Sequence, residues 1–440
     1  MSIVRDSSYL ALSNLILVFS SLATGILTAR LLGPEGRGEL FLLIQITSLG
    51  GLIICCGLGP SYQYHLKKGL FDKTQILSHI LVQLILGCGL IVFLFIFGEP
   101  LWTFVANKPI DDDIRFWACV ALMINVMINF YTYVLMSMEG GIKLNSIFGV
   151  ASSLGNMVFL GLLVWLFELG VFGAIVAYCL SISLKVLPVL PKIFSGVWRD
   201  IRLRWLGISK PLYKYGFSAF LSNLMVSTVF RIDVFILSAL SGVKAVGIYS
   251  IAVAFAEMAL MVPRSVGMAL FAHLPDKPIE EQIEIIKRSS STVFLLALIS
   301  GLGLLVMSYP LVMILMGDDY IDAVLPLCLL VPGVVAMSVN FVFSNFFSAS
   351  GRPIIGVYCF ASGLVANVLL CYLLIPIYGV AGAALASTLA YAAITLAFLF
   401  MLKYHHQVSV LSLFKVYSKD FAFIKDKFGS IVAKLLSRKG

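Results

Sequence analysis

Charged residues are scarce in this chain. Asp, Glu, Lys and Arg together make up 12% of its 440 residues, whereas soluble domains carry roughly 25%. Apolar residues reach 60%, and the mean hydropathy is +1.02. Because so few charges leave too little polar surface to face water, the composition excludes an ordinary soluble protein. It predicts a membrane protein whose surface is solvated mostly by lipid.

Sequence signals for catalysis and for metal binding are also missing. The eight cysteines lie in apolar runs without a CxxC pair, and of the five histidines only His405 and His406 are adjacent. There is no GxxxxGK(S/T) sequence to bind nucleotide phosphates, and no connection is longer than about 25 residues, too short for an extracytoplasmic catalytic domain. We therefore expect no enzyme activity, no cofactor, no metal and no disulfide.

Apolar segments recur along the whole chain at the length that crosses a bilayer. A membrane-spanning helix needs about 20 predominantly apolar residues, and the chain offers about twelve such segments, separated by charged or Gly/Pro turns. The predicted fold class is therefore an all-α membrane protein. The predicted spans are residues 10–29, 40–59, 76–98, 115–137, 146–167, 170–190, 216–240, 247–272, 292–316, 324–349, 354–377 and 380–402.

Lys and Arg are distributed unevenly between the connections. If the N-terminus is cytoplasmic, most of them fall in cytoplasmic loops, above all in the basic stretch 191–215. The opposite loops carry the acidic clusters Asp111–Asp113 and Asp318–Asp322. This bias predicts that both termini are cytoplasmic. The net charge of +9 is then mainly a topology signal, and no nucleic-acid partner is expected.

The chain repeats itself at a nearly constant offset. The sequence LSNL at Leu12–Leu15 recurs at Leu221–Leu224, an offset of 209 residues (221 − 12). At the same offset Gly33 and Gly38 match Gly242 and Gly247, and GVFGA at 170–174 matches GVAGA at 379–383. Several matches in order at one offset indicate a duplication. Six spans in each half return the chain to its starting side, so the halves are predicted to be parallel repeats.

These repeats define the predicted domains. They are an N-terminal six-helix bundle, a basic cytoplasmic linker, a C-terminal six-helix bundle and a basic amphipathic cytoplasmic tail, at residues 1–190, 191–215, 216–402 and 403–440. Parallel repeats of this kind are typical of secondary transporters, whose substrate site lies near the midplane between the repeats. A purely structural duplication is the alternative.

Several polar residues lie inside predicted spans, where a charge costs roughly 2.5–3.5 kcal/mol. The candidate substrate-binding residues of a cavity between the halves are Arg231, Arg264, Arg30, Asn223 and Asn14. Asp233 and Glu257 are the candidate charge partners, and Asp233 is expected to order Arg or Lys side chains. The alternative for each Arg is snorkelling to the headgroups or a satisfied pair between helices. A cationic cavity suits an anionic substrate, since guanidinium groups bind phosphate oxygens in bidentate geometry.

Two segments resemble a known transporter family. TARLLGPEGRGELFLLIQI at 28–46 and RIDVFILSALSGVKAVGIYSIAVAFAEM at 231–258 are similar to the polysaccharide-transport branch, the Wzx-type O-antigen and capsule flippases, of the multidrug/oligosaccharidyl-lipid/polysaccharide (MOP) exporter superfamily. The resemblance covers roughly residues 1–402. It implies that the Asp of span 7 corresponds to Asp233 and the Arg after span 1 to Arg30. The drug-exporting MATE branch often has an acidic cation site in span 1, and here the nearest carboxylate, Asp6, precedes that span.

The resemblance implies a flippase for an undecaprenyl-pyrophosphate-linked oligosaccharide, working by alternating access in the bacterial inner membrane to supply surface polysaccharide such as lipopolysaccharide O-antigen. Its implied partners are the lipid-linked oligosaccharide substrate and membrane lipids, with a polysaccharide polymerase and a chain-length regulator as candidate protein partners. A lipid II flippase is the alternative within transport, although those proteins usually carry two further spans after the twelfth. A membrane glycosyltransferase or polysaccharide polymerase, and a structural scaffold, are the alternatives outside transport.

Overall fold

The computed structural model describes residues 2–106, 109–195, 209–261, 263, 264, 266, 274 and 278–414. Within these residues every regular element is a helix, which confirms the predicted all-α class. Most of the linker prediction and the amphipathic part of the tail prediction fall on 196–208 and 415–440, which lie outside the described residues. The bounds of the four predicted domains therefore stay predictions.

The described part of the first half contains eight α-helices. They are α1 (Ser2–Cys55), α2 (Leu58–Lys67), α3 (Lys73–Phe97), α4 (Glu99–Ala106), α5 (Asp112–Ser137), α6 (Gly141–Leu160), α7 (Gly170–Val186) and α8 (Leu190–Phe194). A π-helical turn at Gly161–Leu166 extends α6.

The described part of the second half contains six α-helices. They are α9 (Ser209–Val229), α10 (Ile232–Ala259), α11 (Ile279–Leu311), α12 (Val324–Ala349), α13 (Pro353–His406) and α14 (Val410–Leu413). A π-helical turn at Val312–Met316 extends α11, and a 3₁₀ turn at Asp318–Ala323 leads into α12.

Nine helical segments in the described residues are long and apolar enough to cross a membrane. Three of them are broken by a glycine with non-helical backbone, at Gly33, Gly242 and Gly379. Each break lies between two predicted spans, so nine segments supply twelve crossings. The outer surface suits lipid, since large apolar side chains such as Phe93, Trp165, Val306 and Ile377 are more than half exposed.

The backbone confirms the duplication. Gly33 and Gly242, which match at the offset of 209, have φ of 65° and 79°. Gly170 and Gly379, at the same offset, have φ of 55° and 54°. A positive φ is accessible to glycine at little cost and is strained for other residues. The repeated glycines therefore place the same backbone break at equivalent points of the two halves.

One predicted span is wrong as a continuous helix. The segment 216–240 is interrupted at Phe230 and Arg231, where α9 ends and α10 begins. Arg231 has φ −132° and ψ −17°, outside helical geometry. The apolar character of the segment gave no sign of this break, because hydropathy measures length and composition but not backbone continuity. The break changes which residues share a face with Arg231.

Candidate functional site: a cationic cavity between the two halves

A cavity of about 560 Å³ lies between the two halves. Helices α1, α6 and α7 line it from the first half, and α10 lines it from the second. Ser21, Gly25 and Thr28, which the sequence places on one stripe of the first span, all lie in this lining. Its charged side chains are Arg37, Arg231, Glu257 and Arg264, three cations against one carboxylate.

Arg37 is buried and spans the interface between the halves. Its Nε donates to Ser250 Oγ of α10 at 2.8 Å, and its Nη1 donates to Thr28 Oγ1 at 2.7 Å and to the Gly25 carbonyl. In the described part of the chain Arg37 forms no ion pair, so its charge is held by neutral acceptors. Such a guanidinium is available to an anion that enters the cavity.

Sequence reasoning missed Arg37, which it assigned to an outer loop. The Gly33-Pro34 pair indicates a turn, and the second span was therefore started at residue 40. In the structure the helix resumes at Pro34 directly after the Gly33 break. Proline favours the first turn of a helix, so Pro34 was the signal that a helix already includes Arg37.

Arg231 and Glu257 form an ion pair at the cavity wall. Arg231 Nη1 lies 2.8 Å from Glu257 Oε1, and the two side chains are 21% and 28% exposed. Glu257 and Arg264 are seven residues apart in one predicted span, a spacing that predicts a shared helical face. The break between α9 and α10 instead brings Arg231 to Glu257. Because the pair is partly exposed to the cavity, its cation remains accessible to solvent-borne groups.

Arg264 is held against aromatic rings. Its Cζ lies 5.0 Å from the centroid of the Phe230 ring and 5.1 Å from that of Phe341. These two rings are stacked on each other, with an interplanar angle of 9°. A guanidinium over aromatic faces is stabilised by the ring quadrupoles without being neutralised. Arg264 therefore keeps its charge and its donors for the cavity.

Within the described residues, the hydrogen bonds that Asp233 accepts come from neutral groups and not from an Arg or Lys side chain. Asp233 is 2% exposed, and its Oδ2 accepts from the hydroxyls of Tyr249 and Ser387, each at 2.6 Å. Its Oδ1 accepts from the backbone N–H of Val234 at 2.9 Å. These partners all belong to α10 and α13, so Asp233 joins two helices of the second half behind the cavity wall.

Two further candidates are not brought to the cavity. Arg30 is exposed and donates to the backbone carbonyls of Leu315 and Ile314, at 3.0 and 2.7 Å, so it caps the end of the π-helical turn after α11. Asn223 is exposed and absent from the cavity lining. The α9–α10 break separates its face from that of Arg231. The side chain of Asn14 lies outside the described residues.

The contacts of Arg30 join the two halves at one end of the bundle. Near them the Tyr320 hydroxyl donates to the Ala29 carbonyl at 3.2 Å. Both interactions join the first span to the second half, at the end of the bundle that carries Gly33. We call this the Gly33 end, and the charge bias of the loops predicts that it is extracytoplasmic.

Residues 3–275 match the family described as polysaccharide biosynthesis protein. Residues 218–373 also match the MatE family. The first match covers the first half and the beginning of the second, including Arg37, Arg231, Glu257 and Arg264. No curated protein sequence matches the chain.

Solved transporter structures share the fold. The lipid II flippase MurJ in an inward closed conformation has a TM-score of 0.76 at 14% identity, covering 96% of this chain and 90% of that one. An inward-facing multidrug resistance MATE family transporter of the MOP superfamily has a TM-score of 0.72 at 18% identity, covering 89% and 96%. At such identities the likeness shows the fold alone. Because the family match at 3–275 spans more than half of the chain, this protein belongs to the polysaccharide biosynthesis protein family.

Proposed function

We propose that this protein is a flippase that moves an undecaprenyl-pyrophosphate-linked oligosaccharide across the bacterial inner membrane by alternating access. The observation that carries the proposal is the convergence of Arg37, Arg231 and Arg264 on one cavity between the halves. Two phosphates joined by an anhydride carry several negative charges in a small volume, and guanidinium groups match their oxygens in charge and geometry.

The arrangement of these cations also favours a pyrophosphate. Only Arg231 has a carboxylate partner in the described residues, and that pair is partly exposed. The other two guanidinium groups rest on hydroxyls, a carbonyl and aromatic rings. An excess of positive charge inside a membrane protein is costly, and an anion that binds there lowers this cost. The lipid tail would remain in the bilayer while the headgroup occupies the cavity.

The orientation belongs to the same proposal. With both termini cytoplasmic, the Gly33 end, where Arg30 and Tyr320 join the two halves, faces away from the cytoplasm, and the substrate would enter from the inner leaflet. Opening of this end would then release the substrate to the outer leaflet for surface polysaccharide synthesis.

Reconstitution tests the proposal. We expect proteoliposomes to move a fluorescent undecaprenyl-pyrophosphate-linked oligosaccharide between leaflets, as measured by a membrane-impermeant quencher. Arg231→Ala should lose this activity. Arg288→Ala is the matched control, because Arg288 pairs with Glu284 on an exposed surface outside the cavity. Translocation no faster than in protein-free liposomes would contradict the proposal.

A lipid II flippase is the second candidate, favoured by the fold it shares with MurJ. The same proteoliposomes distinguish the two candidates. We expect lipid II to be moved more slowly than the lipid-linked oligosaccharide and to compete weakly with it. The reverse order would assign the protein to lipid II.

A further inference from the structure

The cavity has two chemically different walls. Glu257 lies on α10, Arg231 directly precedes this helix and Arg264 follows it. Arg37 belongs to α1, but its guanidinium donates to Ser250 of α10. The wall formed by α6, α7 and the α1 segment after Gly33 instead presents neutral polar groups. These are Gln45, Ser153, Asn156 and Tyr178. A ligand that fills this cavity therefore meets cations on one side and neutral hydrogen-bonding groups on the other.

Gln45 is the most informative residue of the neutral wall. Its side chain is 7% exposed and lines the cavity, yet its amide has no hydrogen-bond partner within the described residues. Two helical amides elsewhere in the first half are satisfied internally. Asn125 Nδ2 donates to the Ala121 carbonyl at 3.0 Å, and Asn129 Nδ2 donates to the Asn125 carbonyl at 2.9 Å. Buried amides without partners are rare in native proteins and call for a ligand or water.

Asn156 repeats this pattern on the neighbouring helix. Its Oδ1 is buried and has no hydrogen-bond partner in the part of the chain that the structure describes. Ser153 lies three residues earlier on α6, and residues at this spacing share a helix face. Both line the cavity together with Tyr178 of α7. The wall thus combines unpaired amides, a hydroxyl and an aromatic ring.

We infer that this neutral wall is a carbohydrate-binding subsite, which receives the first sugars of the lipid-linked oligosaccharide while the arginines hold the pyrophosphate. A sugar hydroxyl both donates and accepts a hydrogen bond, and an amide offers a donor and an acceptor in one plane. A tyrosine presents an apolar ring face together with a polar hydroxyl. The inference rests on the proposed function, because the pyrophosphate places the attached sugar beside the arginines.

This subsite predicts selectivity as well as binding. A site whose buried polar groups are satisfied only by the correct ligand rejects a ligand that leaves them unpaired. Undecaprenyl pyrophosphate without a sugar would occupy the cationic wall and leave Gln45 and Asn156 unsatisfied. The full-length protein should therefore bind a sugar-bearing lipid more tightly than the sugar-free lipid.

The test measures binding to the full-length protein in nanodiscs. The probes are undecaprenyl pyrophosphate and a panel of undecaprenyl-pyrophosphoryl monosaccharides, of which the tightest-binding member is compared with the sugar-free lipid. We expect Gln45→Leu and Asn156→Leu each to lower the affinity for the sugar-bearing probe about fivefold to tenfold, which is the effect of losing one or two hydrogen bonds. Their affinity for the sugar-free lipid should stay within about twofold of wild type, which also shows that the variants are folded.

The outcomes separate this inference from the proposed function. Arg231→Ala should lower the affinity for both probes. If the wild-type protein binds neither probe, the proposed function fails and the subsite fails with it. If wild type binds both probes equally, or if the leucine variants weaken both equally, the pyrophosphate site stands and the carbohydrate subsite is overturned.

Discussion

Gly38 and Gly247 pack against each other's helices where the two halves meet. A Cβ on Gly38 would overlap the carbonyl oxygen of Val243, and a Cβ on Gly247 would overlap that of Pro34. Val243 lies 209 residues after Pro34, and Gly247 lies 209 after Gly38 (243 − 34 and 247 − 38). The two contacts are therefore copies of each other, as at an interface with twofold symmetry. An approximate twofold axis passes between these glycines.

This close approach makes both glycines sensitive to the smallest substitution. We expect Gly38→Ala and Gly247→Ala to force the helices apart and to reduce translocation strongly, because the added carbon meets backbone that cannot move aside. Gly149→Ala is the matched control, since a Cβ at Gly149 of α6 meets nothing within 4 Å. Translocation and protein abundance are measured for all three variants. If Gly38→Ala and Gly247→Ala both transported as fast as wild type, the close contact between the helices would not be needed for transport.

The glycine pattern also shows what the sequence reveals about the fold. The matches of Gly33 with Gly242 and of Gly38 with Gly247 are visible as letters, and they predict two equivalent halves. That Gly33 has a positive φ, or that Gly38 touches Gly247, depends on how the repeats associate. A linear pattern carries no information about this association.

Arg231 can bind the substrate or neutralise Glu257, and variants of the ion pair distinguish these two roles. Arg231→Ala should abolish complementation of a deletion strain while the protein still inserts, and Arg231→Lys should rescue partly, because a cation is retained without the bidentate fork. Removing both partners, in Arg231→Ala/Glu257→Ala, should recover stability, with a coupling energy of about 0.5–3 kcal/mol in thermal unfolding. It should not recover transport. If the double variant did transport, Arg231 would serve only to neutralise Glu257.

Replacing Arg37 by lysine tests whether the geometry of its guanidinium is needed. Arg37→Lys should destabilise the protein by about 1.5–3 kcal/mol, the value of a hydrogen bond to a charged group, because one ammonium is a poor match for Ser250, Thr28 and the Gly25 carbonyl together. Transport should fall at least tenfold. Arg115→Lys is the control, since Arg115 pairs with Asp112 away from the cavity. Equal effects in the two variants would remove the special role of Arg37.

The candidate site was only partly predictable from the sequence, because hydropathy does not show where a helix breaks or resumes. Arg231, Glu257 and Arg264 were found because charges inside apolar spans are rare. Arg37 was missed because its helix resumes at Pro34, six residues (40 − 34) before the start that hydropathy indicates. Arg30 and Asn223 were assigned to the cavity by helical phase, which fails when a helix breaks at Phe230 and Arg231 or when a side chain caps a neighbouring helix end.

Membrane orientation is tested independently of transport. Reporter fusions at Lys68, Trp205 and His405 should report the cytoplasm, and fusions at Asp112 and Asp319 the opposite side, because the basic loops are retained inside. Activity of a paired cytoplasmic reporter and an extracytoplasmic reporter is compared at each site. A cytoplasmic signal at Asp112 would overturn the map of twelve crossings.

Alternating access requires that one cavity between the halves is exposed to the two sides of the membrane in turn. Thr24 lines this cavity, so Thr24→Cys in a cysteine-free background reports its exposure to a membrane-impermeant thiol reagent applied to either side. Ser338→Cys is the control, because Ser338 is fully buried and absent from the cavity lining. We predict that Thr24→Cys is labelled from both sides while lipid-linked oligosaccharide is transported, and that Ser338→Cys is labelled from neither. Labelling of Thr24→Cys from one side alone, with substrate present and transport under way, would contradict alternating access.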